Sequence, residues 1–301
     1  MKKTIIAIVV IILLGAGIYF ITWSSNTKLM QKENVSTVTP TPSPTVAIPV
    51  PANKDMTVIG KSVEGRDILA YHFGTGDTKL LFIGGIHGGY EWNTALVAYE
   101  LRDFLKENPD VIPQNVEVTV IPVLNPDGLS KVVGTTTSPF AKADVSTSQT
   151  TLVSGRFNAH TVDLNRNFDC DWQASAKWQN KTVSGGSEAF SEPESQAIRD
   201  YVELYKPNAV VVWYSAAGGV YASSCHNGVS SDTSALTDMY SKASGYPAHE
   251  NFDFYEITGD MVNWLAKKNI PAISVLLTNH EDVEWIDNKA GILAVLKSYS
   301  K

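Results

Sequence analysis

Three hundred and one residues accommodate one large α/β domain or two small ones. The apolar fraction, 44% with 10% aromatic residues, is ordinary for a globular core. The 24 Lys+Arg against 31 Asp+Glu leave a formal charge of −7, which argues against a nucleic-acid binder with a basic face.

The chain opens on Lys2 and Lys3, then runs from Thr4 to Trp23 without a charged side chain. As a helix at 1.5 Å per residue, that run spans about 30 Å, enough for a bilayer. No small-x-small cleavage site follows, so residues 1–23 read as an uncleaved signal-anchor. The two lysines favour a cytoplasmic start, which places the remainder of a single-pass protein on the extracytoplasmic side of the cell membrane. Residues 24–54, with Thr39-Pro40-Thr41-Pro42-Ser43-Pro44, are too poor in bulk to bury a core and read as an extended linker. A folded domain then covers 55–301.

Within that domain, Val58 to Phe73 reads as a hairpin turning at Glu64-Gly65-Arg66-Asp67. Lys79 to Ile83 and Val116 to Leu124 are apolar runs of buried-strand length, the first leading into Gly84-Gly85 and the second closed by Asn125-Pro126-Asp127-Gly128. Trp92 to Glu107 carries apolar residues at helical spacing and stops near Pro109. Residues 130–155, rich in Ser and Thr, read as a long surface loop. Ser191-Glu192-Pro193-Glu194 reads as a helix start with a serine cap. Ala209 to Trp213 and Ala272 to Leu277 are two more buried strands, with helices expected over 234–244, 258–268 and 288–299. Strands alternating with helices predict an α/β domain, with its site at the carboxyl ends of the strands. His87, Asn125 and Tyr214 all lie at such ends. The two cysteines, Cys170 and Cys225, are either a disulfide, which an extracytoplasmic setting permits, or two buried thiols. Their nearness in sequence to segments at the expected rim favours the disulfide.

His87 and Glu91, in a glycine-rich turn after a strand, have the side chains of a metal-ligand pair, although a surface pair at helical spacing has the same pattern. Asn165 and Arg166 offer an amide and a guanidinium fork suited to a carboxylate, with Asp163 and Asn167 able to orient their loop. A solvated polar turn is the plain alternative. Arg156 could stabilise an oxyanion or simply face water.

Five segments in order carry a family resemblance: Gly85-Ile86-His87-Gly88-Gly89-Tyr90-Glu91, Asn125-Pro126-Asp127-Gly128, Val162-Asp163-Leu164-Asn165-Arg166-Asn167-Phe168, Phe190-Ser191-Glu192-Pro193-Glu194 and Tyr255-Glu256-Ile257-Thr258-Gly259. Over roughly residues 55–300 the chain resembles the zinc carboxypeptidases of the carboxypeptidase A type. The resemblance implies an α/β/α sandwich with a mixed, mainly parallel eight-stranded sheet. It also implies one zinc ion whose water attacks the last peptide bond of a substrate. It makes His87 and Glu91 the first two zinc ligands and Arg156 the oxyanion arginine. Asn165 and Arg166 become the grip on the terminal carboxylate, and Tyr255 the mobile tyrosine that closes over the substrate. The segment from Gly259 to Asn263 should line the side-chain pocket, where Val262 suggests an apolar residue and Asp260 a basic one.

Three departures stand out. His87 and Glu91 have three residues between them where the family has two. The third ligand, a histidine in the family, is replaced by Tyr214, a poor ligand at neutral pH unless the metal ionises it. The catalytic glutamate is replaced by Leu276, which cannot accept a proton; losing a general base typically costs about 10²–10⁴ in rate. His280, Glu281, Asp282 and Glu284 follow the Leu276 strand, but extended geometry at about 3.3 Å per residue carries them past the site. His226 lies twelve residues beyond Tyr214. Two readings follow. One is a membrane-anchored metallocarboxypeptidase acting on peptides or cell-wall peptides. The other is a pseudo-peptidase that binds such C-termini without cutting them.

Overall fold

The computed structural model describes residues 55–137 and 140–301. The chain divides into two units, Met1–Ala47 and Ile48–Lys301, and the first lies outside the described residues. So do the expected membrane helix and the whole of the expected linker. Among the described residues no helix is long and apolar enough to cross a membrane.

Eight strands form one mixed sheet: β1 (Met56–Lys61), β2 (Asp67–Gly74), β3 (Thr78–Ile83), β4 (Val116–Ile121), β7 (Ala209–Ser215), β8 (Gly219–Ala222), β9 (Ala248–His249) and β10 (Ala272–Leu277). Their order is β1-β2-β4-β3-β7-β10-β8-β9. The central run β4-β3-β7-β10 is parallel, and antiparallel pairs flank it at β1-β2, β2-β4 and β10-β8. A separate hairpin, β5 (Ser175–Trp178) with β6 (Lys181–Ser184), stands outside this sheet.

The centre is parallel because β7 and β10 are buried along their whole length and β3 from Leu80 onward, so these strands need cover on both faces. The pleat sends Leu81, Ile83, Val210, Val212, Tyr214 and Leu276 to one side. There they meet α4 (Pro193–Tyr205) and α6 (Met261–Lys267). The alternate residues, Phe82, Val211, Trp213 and Val275 among them, face α1 (Trp92–Glu107), α5 (Ser231–Ser244) and α7 (Trp285–Ser298). Helices therefore cover both faces, as the sandwich expectation required. Leu276 and Tyr214 are register partners on adjacent parallel strands and share one face.

Three expectations need correction. The loop expected over 130–155 holds α2 (Pro126–Val133) and α3 (Gln149–Ser154). Asn125 does not close a strand but caps α2, its Oδ1 accepting from Gly128 N at 2.8 Å. The cap of α4 is Glu192 rather than Ser191, whose hydroxyl donates to Glu192 Oε1 (2.8 Å); Pro193 takes the first helical position.

Cys170 and Cys225 are bonded across a separation of 55 residues. Closing a loop of that length restricts the unfolded chain and is worth about 2–4 kcal/mol. We expect the Cys170→Ala/Cys225→Ala variant to lose about that much in a urea titration; an unchanged midpoint would show the bridge to be dispensable.

Candidate functional site

All eight side chains singled out from the sequence, His87, Glu91, Arg156, Asn165, Arg166, Tyr214, Tyr255 and Leu276, line one cavity of about 910 Å³. It opens where β3 and β7 end, as expected for a sheet with a parallel centre.

His87 lies in the turn between β3 and α1. Gly88 at φ 45° lets that turn press against α2, where a side chain would meet the Gly128 backbone at 2.8 Å. His87 and Glu91 are 3% and 2% exposed, which rules out a surface pair. Glu91 Oε1 lies 2.9 Å from His87 Nδ1, and Asp163 Oδ1 lies 3.3 Å from Nε2. Neither ring nitrogen makes an aligned hydrogen bond, so the imidazole is flanked by carboxylates without being locked to them.

Arg156 follows α3 and is equally buried. Its Nη2 reaches Asp163 Oδ2 at 2.8 Å and its Nη1 reaches Glu91 Oε1 at 3.6 Å, while its guanidinium lies 4.4 Å over the Trp178 ring. Burial alone would raise both carboxyls, but their basic neighbours win. His87 and Arg156 hold Glu91 below the usual carboxylate range, and Arg156 with His87 holds Asp163 well below it. The remaining oxygen of Glu91 accepts from Ser215 N at 3.1 Å. Both Glu91 oxygens are therefore engaged within the protein.

Asn165 and Arg166 belong to a 3-10 turn, Leu164–Arg166, capped by the Asp163 side chain. Asn165 is drawn inward on every side. Its Oδ1 accepts from the Tyr214 hydroxyl (3.2 Å) and Met261 N (3.1 Å), and its Nδ2 donates to Asp260 Oδ2 (2.8 Å). Arg166 is different. It is 1% exposed, its Nε donates to Lys177 O (2.8 Å), and its Nη1 donates to Asn165 O (2.5 Å). Among the described residues no carboxylate lies within 4.0 Å of it. Gly259, at φ 64°, allows the following segment to sit against this turn, since a Cβ there would fall 2.3 Å from Arg166 O. Tyr255, from the segment that leads into Gly259, places its ring 5.9 Å from the guanidinium.

Tyr214 does not behave as a ligand. Burial first, then Asp260 and Glu91, push its phenol well above its ordinary value, and its proton is committed to Asn165. Among the described residues no three His, Cys, Asp or Glu side chains gather as a set able to hold a metal ion. The donors present thus fall short of the three protein ligands a catalytic zinc requires. Leu276 lines the cavity beside Tyr214 and offers no base.

One expectation is overturned by geometry. His280 is not carried past the site. Strand β10 stops at Leu277, and Asn279 Oδ1 accepts from Glu281 N (2.7 Å) and Asp282 N (2.8 Å), an Asx turn that bends the chain back. His280 lines the cavity, its ring centroid 4.7 Å from that of Tyr90. Tyr90 and Trp178 also went unrecognised in the sequence. Trp178 sits on the β5–β6 hairpin, whose short alternating pattern is easily lost beside a two-residue turn at Gln179-Asn180. Asp260 suggested a site for a basic substrate group, but its oxygens accept from Asn263 N (2.9 Å) and Asn165 Nδ2 (2.8 Å).

The fold is an α/β sandwich with a cavity at its strand ends, where Arg156 and Arg166 share the lining with Glu91 and Asp260. Residues 46–286 match the zinc carboxypeptidase family, and the chain belongs to it. Carboxypeptidase B of Astacus astacus is 32% identical over 161 residues, covering 51% of this chain and 50% of that protein. The zinc carboxypeptidase of Simulium vittatum is 29% identical over 164 residues, 52% of this chain and 51% of that one. The chain thus spans about half the length of these curated relatives. Among solved structures, murein-tripeptide amidase MpaA from Escherichia coli O157 superposes with a TM-score of 0.59 at 19% identity, covering 83% of this chain and 94% of that one. At that identity the likeness speaks for the fold alone.

Proposed function

We propose that this protein binds the free C-terminus of peptides, including cell-wall peptides, and that its natural chain neither holds zinc as its relatives do nor hydrolyses the bound peptide. In this reading the domain is held by an N-terminal anchor on the extracytoplasmic side of the membrane, a setting in keeping with the Cys170–Cys225 bridge.

The observation that carries the reading is Arg166. Burying a guanidinium without a counter-ion is costly, and folded proteins rarely do it unless a ligand supplies the missing charge. Arg166 lies at the cavity wall with its second terminal nitrogen uncommitted. A peptide carboxylate has the charge and the planar two-oxygen shape to meet it. The hydrolytic half is weaker. Tyr214 and Leu276 stand side by side where a third ligand and a base would be needed, and Glu91 is spent on His87, Arg156 and Ser215. The apolar lining from Val262 and Leu276 favours a bulky apolar terminal side chain.

The test is calorimetric. The full chain is titrated with hippuryl-phenylalanine and with hippuryl-phenylalaninamide, which lacks the terminal charge. A charge-assisted pair is worth about 1.5–3 kcal/mol, so the acid should bind roughly 10- to 150-fold more tightly. Arg166→Ala should abolish that preference. Equal affinity of the natural chain for acid and amide would refute the reading.

A further inference from the structure

His280 enters the cavity by a route that the family resemblance does not assign. Its Nδ1 lies 3.0 Å from Ser215 Oγ. Which atom donates follows from the next link. Asn93 Nδ2 gives its two hydrogens to the backbone oxygens of Asn279 (2.8 Å) and Asp282 (3.0 Å), so Asn93 Oδ1 is fixed as the acceptor facing Ser215. The Ser215 hydroxyl has one hydrogen and donates it to Asn93 Oδ1 at 3.1 Å. Ser215 Oγ can then only accept from His280. The imidazole therefore carries its proton on Nδ1, and Nε2 keeps a lone pair.

Nε2 has no hydrogen-bond partner among the described residues, while the ring lines the cavity and packs on Tyr90. Asn93 is 0% exposed and anchored to the 279–282 turn itself, so the relay holds the ring from beneath. Burial first, with Arg156 and His87 adding to it against the pull of Glu91, keeps His280 below its ordinary pKa, which suits the neutral form. Among the buried acceptors of the cavity, Glu91, Asn165 and Asp260 are already taken up by protein donors.

We infer that His280, fixed by Asn93 and Ser215, is the acceptor for a backbone N–H of the bound peptide, and so sets the orientation of a ligand whose carboxylate rests on Arg166. The inference rests on the carboxylate reading above and adds a second, independent point of recognition. A ligand held by Arg166 alone could rotate about its terminal carboxylate. A second contact within the same cavity would fix the chain direction and discriminate amides from esters, because only the amide has a hydrogen to give.

The experiment removes each N–H of one probe in turn. Hippuryl-phenylalanine has two. The ester analogue hippuryl-phenyllactate lacks the last, and the analogue N-methylated at the glycine nitrogen lacks the first. All three are titrated into the full chain and into His280→Phe, which keeps a flat ring beside Tyr90 but has no acceptor. The natural chain should bind one analogue about five- to tenfold more weakly than the parent, the size of one neutral hydrogen bond. His280→Phe should bind parent and analogue alike. If His280→Phe does not fold, His280→Asn, whose shorter side chain withdraws the acceptor, is used with the same three ligands. Equal penalties in natural chain and variant overturn the inference. If the acid-over-amide preference persists in that case, the carboxylate reading stands and His280 alone is removed from it; if hippuryl-phenylalanine does not bind at all, both fall.

Discussion

Tyr214→His combined with Leu276→Glu is expected to take up about one zinc per chain and to release C-terminal residues from peptides, where the natural chain is expected to do neither. The Tyr214 ring centroid lies 5.7 Å from that of His87, so an imidazole at 214 would approach the same point as His87 and Glu91. Three such side chains meet the minimum for a catalytic zinc. The change also frees Asn165, whose Oδ1 now accepts the Tyr214 hydroxyl. Glutamate at 276 would stand beside position 214 in register and supply a base worth about 10²–10⁴ in rate. The single variants should be informative. Tyr214→His alone should gain metal with little turnover. Leu276→Glu alone should gain neither, and should lose stability, because it adds a carboxylate to a wall already shared with Glu91 and Asp260. Zinc content by mass spectrometry after dialysis and release of phenylalanine from hippuryl-phenylalanine are the two readouts. A natural chain that retains zinc and matches the double variant in rate would show that the positions of third ligand and base have been misassigned.

Asp163→Asn should be the most damaging conservative change in the domain. Asp163 is fully buried, receives Arg156 through two nitrogens at 2.8 and 2.9 Å, lies 3.3 Å from His87, and caps the turn that carries Asn165 and Arg166. An asparagine retains an oxygen for the cap but leaves Arg156 with only the longer contact to Glu91 at 3.6 Å. Removing one partner of a buried pair costs about 3–5 kcal/mol, or roughly 6–20 °C in melting temperature for a domain of this size. The pH dependence has a definite sign. The Asp163 carboxyl is held well below its unfolded value of about 3.9, chiefly by Arg156 and His87 against burial. Its contribution is therefore complete above about pH 4 and fades as pH falls further towards the folded value. The natural protein should lose stability steeply below pH 4, and Asp163→Asn should start lower and fall less. Parallel acid titrations of the two would discount the network.

Much of this architecture is readable in the chain because its determinants are local. The apolar runs at 80–83, 209–213 and 272–277 have no polar face and so require a covered, largely parallel centre. The motif around Asp163 to Phe168 carries its own cap and grip. What escaped reading depends on turns and on distant partners. His280 looks remote until Asn279 is seen to fold the chain back on itself. The state of Glu91 depends on Arg156 and Ser215, 65 and 124 positions away in sequence, and no spacing rule reports on them. Asp260 looked available because a carboxylate near a pocket invites a cation. Only the structure reveals that the start of α6 and Asn165 have claimed both oxygens.

The hairpin β5–β6 carries a lesson for anyone who would re-engineer this surface. It displays Trp178 at the cavity wall, and its Lys177 carbonyl is the acceptor that holds Arg166 Nε. Asn167, next to Arg166, is tied to Gly185 just beyond it through Nδ2 at 2.7 Å. The excursion looks like an exchangeable loop, but it is the scaffold behind the guanidinium. Transplanting a relative's loop here would remove the support for the charge on which the proposed C-terminal ligand would rest. Selectivity is better redrawn at Phe254, which lines the same cavity and packs on Tyr221 and Phe252 rather than on Arg166 or its supports.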